Sequence, residues 1–161
     1  MVKKMKNDAS KTSKKEFKDK NISEDIEKKI PNIDELKTEY DIIDEHLSPN
    51  TVLRKMSEKI EDYIKILIQL LQPEEFHSLH ECAIFDDSDK SKIFDLYKNL
   101  MITHREALKS EILNQESNTL ATIKYVHSEL KSLKPKMFDI VQKMQDSWKQ
   151  TDTIGKVRYF G

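Results

Sequence analysis

Residues 1–154 contain no glycine; the two in the chain, Gly155 and Gly161, fall within its last seven positions. Glycine is the residue that enters positive φ without steric cost. Tight β-hairpins, phosphate-cradling loops and the dinucleotide fingerprint all rely on such positions. The sequence therefore argues against sheet-rich folds and the usual nucleotide-binding loops, and it leaves few flexible hinges. Charged residues make up 35% of the chain and the hydrophobic set 37%. Apolar side chains are scarce enough that they must be placed on narrow stripes, and an all-α chain is expected.

The stripes follow. Four prolines, Pro31, Pro49, Pro73 and Pro135, each stand where a helix can begin. Asn32 and Glu35 read as a capping box. After them Ile33, Leu36, Tyr40, Ile43 and Leu47 alternate spacings of three and four, which predicts a first helix over about 32–48. Leu53, Met56, Ile60, Tyr63, Leu67 and Leu70 predict a second over about 50–72, the most buried of the set. Pro73, Glu74 and Glu75 suit the positive end of a short third helix over about 73–84. A fourth helix, capped by Asp87 or Ser88 and running to about 113, carries Ile93, Tyr97, Leu100, His104 and Leu108. The apolar-free run 114–119 reads as a connection, although a long helix could pass through it. The fifth helix holds Leu120, Ile123, Leu130, Met137, Val141, Met144 and Trp148 in one heptad frame, with His127 and Lys134 in its two remaining positions. That frame stays in phase across Pro135, which can kink one helix or separate two. Two long helices of about 26 and 31 residues joined by a short polar connection predict an antiparallel helical bundle with a long C-terminal helical hairpin.

Residues 1–20 set eight lysines against three acids, leaving the remainder of the chain acidic. With so little to bury, this segment is expected to be a disordered basic N-terminal tail. The bundle domain spans 21–154, and 155–161 form a short extended tail whose Val157, Tyr159 and Phe160 have strand propensity but no strand partner. One cysteine, Cys82, permits no internal disulfide and suits a reducing compartment. Residues 64–71 are the most apolar run and far short of the roughly 20 needed to span a bilayer. A cytoplasmic protein without membrane partners is expected.

Chemistry-bearing side chains cluster on the third helix as Glu74, His77, His80, Glu81 and Cys82. Glu74 and His77 give one Glu-x-x-His, but carboxylate-bridged di-metal bundles need a second, and none is present. The zinc-protease spacing His-Glu-x-x-His is also missing. Glu74, His77, His80 and Glu81 are weak metal candidates, and no metal or cofactor is expected. His80 and Cys82, two apart on a helix, diverge and cannot act as base and nucleophile. His104 and His127 sit on apolar stripes and read as hydrogen-bonded core or interface residues; His46 suits a helix end. No catalytic constellation is legible. Arginine, the side chain for bidentate phosphate and base recognition, occurs three times against 25 lysines. The fourth helix is charge-balanced, so no groove-reading helix stands out.

The leading expectation is a non-enzymatic helical interaction or scaffold protein, a homodimer formed through the C-terminal helix at Met137, Val141, Met144 and Trp148. Methionine and tryptophan suit such surfaces. The alternative is a nucleic-acid-associated accessory protein that uses the Lys-rich tail. A metal-binding helical bundle is third.

Overall fold

The computed structural model describes Ile30 and residues 32–43 and 47–154. The basic tail over 1–20, the 155–161 segment and His46 lie outside the described residues. Every regular element among those described is an α-helix: α1 (Ile33–Glu39), α2 (Pro49–Leu71), α3 (Phe76–Cys82), α4 (Asp87–Leu113) and α5 (Glu116–Ile154).

Three long helices make the bundle. Asn50 at the start of α2 reaches Asn114 at the end of α4, and Glu61 reaches His104, so α2 and α4 are antiparallel. Asn118 meets Ser110, and Lys143 meets Asp89, which makes α4 and α5 the expected antiparallel hairpin. α2 and α5 consequently run parallel. The core between them is built from Leu53, Met56, Ile60 and Leu67 of α2, Ile93, Leu96 and Leu100 of α4, and Ile123, Val126, Leu130 and Met137 of α5. Full burial of such side chains contributes roughly 1.5–3 kcal/mol each, which is what holds the bundle closed.

Local chemistry sets the boundaries. Ser48 caps α2, its hydroxyl accepting from the Thr51 N–H at 3.1 Å, with Pro49 in the first turn. The cap of α4 is Asp86, one residue earlier than expected, because its carboxylate accepts from the Asp89 N–H at 2.8 Å. The helix α4 ends where Asn114 turns left-handed at φ 47°, and α5 begins two residues later. The connection is therefore only Asn114 and Gln115, and residues 116–119 are helical. Thr119 supports this early start by donating to the Gln115 carbonyl at 3.1 Å. Pro135 lies inside α5 on an exposed position, so water can satisfy the carbonyl it leaves unpaired, and the helix runs on for 39 residues.

The first helix is shorter than its stripe. It ends at Glu39; Asp41 takes φ 52°, and Ile43 is 64% exposed. Leu47 is buried in the core, but it lies outside α1. The Asn32–Glu35 capping box does not form. Asn32 is itself left-handed, at φ 60°, and offers only its carbonyl to the Leu36 N–H. The described residues with positive φ are Asn32, Asp41 and Asn114, the residue types that tolerate it best after glycine.

Two stripes are rotated from their predicted frames. The buried face of α4 is Ile93, Leu96, Leu100, Thr103, His104, Ala107 and Ser110, leaving Tyr97 and Leu108 on its flank. On α5 the buried residues are Thr119, Thr122, Ile123, Val126, Leu130, Leu133, Met137 and Ser147, with Leu120, Ile140 and Met144 packed against them. The predicted and observed frames share Leu120, Ile123, Leu130, Met137 and Met144. They differ in which flank completes the seam.

Candidate functional site

The flank of α5 excluded from the core explains its own polar members. Helix α1 lies along it: Lys131 Nζ is 3.3 Å from Glu35 Oε1, and Lys134 Nζ is 3.0 Å from Glu39 Oε1. The Tyr40 ring meets His127 edge-on, with centroids 6.4 Å apart. Farther along, Trp148 receives α3. Its indole Nε1 donates to Glu81 Oε1 at 2.7 Å, and the His80 ring packs on it at 4.4 Å. His127, Lys134 and Trp148 thus mark where the two short helices dock.

The residues expected to form a partner face separate accordingly. Met137 is 3% exposed and belongs to the protein's own core. Met144 is half-buried against that core, and Trp148 is engaged by α3. Val141, at 44% exposure, faces outward between the two docked helices, next to Phe138.

The four weak metal candidates do not converge. His77 Nδ1 lies 3.1 Å from Glu75 Oε2, His80 and Glu81 are taken up by Trp148, and Glu74 is exposed. Among the described residues, the three donors that do come together are Glu35, Glu39 and His127, whose ligating atoms all lie within 4.8 Å of one another. Glu35 and Glu39 are one turn apart on α1, and His127 comes from α5, 88 positions or more away. Only docking assembles the group, and the sequence offers no signal beyond the i, i+4 carboxylate pair. His104 is buried as expected on α4, with Nε2 3.2 Å from Glu61 Oε1 but off-line for a hydrogen bond.

Tyr40 closes this junction. It is 6% exposed, and its hydroxyl has no hydrogen-bond partner among the described residues. Burial, then the charge of Glu39, neighbouring Tyr63 and Glu35, holds the phenol well above its usual range. Lys134 is held above the usual lysine range, chiefly by its hydrogen bond to Glu39.

On the opposite flank, α4 and α5 enclose a groove of about 470 Å³ that neither α2 nor α3 fills. Its floor is Phe85, Ile93, Leu96 and Ile140. The α4 side carries Asp89, Asp95 and Lys92; the α5 side carries Lys136, Lys143 and Asp139. One pair, Lys143 with Asp89, already bridges it and holds the Asp89 carboxyl below its usual range. The two walls therefore have opposite net charge over an apolar floor. That arrangement can take up a helix or a second helical pair; it places no nucleophile, base and oxyanion donor together.

No helix among the described residues is long and apolar enough to cross a membrane. Comparison with known proteins found no matching family model, no similar curated protein and no similar solved structure.

Proposed function

We propose that the protein is a non-enzymatic helical interaction protein of the cytoplasm that pairs with a second copy of itself through the α4–α5 groove. The observation that carries this reading is the groove's charge: an acidic-leaning α4 wall and a basic-leaning α5 wall over Phe85, Ile93, Leu96 and Ile140. A two-fold axis along the groove sets α4 of one copy beside α5 of the other, so unlike walls meet. A groove of single sign would repel its own copy. The C-terminal helix remains the helix that associates, by the flank opposite Val141.

The test uses the exposed residues Asp95 and Lys136, whose substitution leaves the core untouched. Sedimentation should find a dimer at micromolar concentration. Asp95→Lys and Lys136→Glu should each weaken it, and a mixture of the two variants should pair again. A monomer throughout overturns the reading. So does a dimer that ignores both charge reversals but is lost in Val141→Glu, since that places the seam on the other flank.

A further inference from the structure

The junction of α1 with α5 has the composition of a metal site, and nothing in the interaction reading uses it. We propose that Glu35, Glu39 and His127 bind a divalent transition metal of the zinc class, which fastens α1 to α5. Two carboxylates and one imidazole suit zinc, and three protein ligands leave one tetrahedral position for water. Ligand atoms around tetrahedral zinc stand about 3.4 Å apart at bond lengths of about 2.1 Å. The three donors lie within 4.8 Å of one another, so small side-chain rotations close the site.

Two further observations point to a ligand. The Tyr40 hydroxyl is buried beside these carboxylates with no partner among the described residues, and His127 Nδ1 is enclosed and equally unpartnered. Buried polar atoms are nearly always paired, so two of them at one junction call for an occupant. A bound metal with its water supplies both kinds of partner, an acceptor of the imidazole lone pair and a hydrogen-bonding oxygen for the phenol. Lys131 and Lys134 do not block it. Each contacts only Oε1 of its glutamate, and each carboxylate has a second oxygen. They are competing cations on the same anions, which yields an unusual expectation: removing them should tighten metal binding.

What the metal would secure is α1. This helix has only seven residues, far too few to be stable alone. It is held by Ile33, Leu36 and Tyr40 and by two exposed ion pairs, which contribute little. Coordination ties both of its glutamates to the longest helix in the bundle.

The experiment is titration of zinc sulfate into the chelator-stripped full chain, followed by calorimetry and, with cobalt(II), by the absorption spectrum of a tetrahedral site. One metal per chain is expected, and binding should fall roughly tenfold or more in Glu39→Gln and in His127→Gln. Glu35→Gln, at an exposed position, gives a second reading should His127→Gln perturb folding. Lys131→Met with Lys134→Met should bind more tightly than the parent. The variant His77→Ala with His80→Ala should bind as the parent does, and so should Asp95→Lys, which separates this proposal from the dimer. Absence of stoichiometric binding overturns it. Loss of binding in the His77 and His80 variant with no effect of Glu39→Gln overturns it as well.

Discussion

Asn114 ends α4 in a left-handed conformation that any residue with a Cβ enters at a cost, and asparagine enters at less cost than most. Its side chain adds a second contribution, because Asn114 Oδ1 accepts from Asn50 Nδ2 at 3.1 Å and ties the start of α2 to the hairpin. Asn114→Ala loses both. The left-handed penalty is about 1 kcal/mol relative to asparagine, and an exposed hydrogen bond is worth about 0.5–1 kcal/mol. The sum is about 1.5–2 kcal/mol, or a fall in Tm of about 3–8 °C for a chain this size. Asn114→Gly loses only the hydrogen bond and relieves the backbone, so it should stay within about 0.5 kcal/mol of the parent. Thermal unfolding by circular dichroism, with molecular mass checked by light scattering, gives the comparison. If the alanine variant is as stable as the glycine variant, a left-handed turn is not what stops α4. An added species heavier than the parent's on alanine substitution would point to α4 and α5 joined as one helix and exchanged between copies.

The other predictions concern single contacts. Pro135 is exposed inside α5, so Pro135→Ala restores a helical hydrogen bond and should stabilise by about 1–3 kcal/mol, read as a raised Tm; a lowered Tm would mean that the proline's bend is required by the packing. The Asp89 carboxyl is held below its usual range first by its hydrogen bond from Lys143. Its contribution is therefore present above the unfolded carboxylate range and lost as pH falls through the lowered value. Lys143→Met should destabilise at neutral pH and converge on the parent in acid, and a difference that persists in acid would assign the loss to packing on Phe85. Met137→Asp should unfold the domain, whereas Phe138→Asp should leave it folded, because the first is 3% exposed and the second 66%. Equal effects on the circular dichroism spectrum would refute the observed frame of α5.

A helix-only architecture could be read from the sequence because absent glycine and three-four spacing are local properties, and α2, with Ser48, Pro49 and its stripe, came within a residue of its predicted ends. The antiparallel hairpin of α4 and α5 was legible for the same reason. The flank of α5 that completes its seam was not. Val141 and Trp148 are as apolar as Leu133 and Ile140, so hydropathy cannot choose between the two columns. Packing chose: α2 and α4 together cover one, and α1 and α3 lie on the other, against His127, Lys134 and Trp148. The stop of α1 at Glu39 also escaped pattern reading, since Ile43 and Leu47 continue the spacing while Asp41 breaks the backbone. The candidate site escaped for a stronger reason. Glu35, Glu39 and His127 come from opposite ends of the domain, and their meeting is set by how the two helices dock, which no local pattern of residues records.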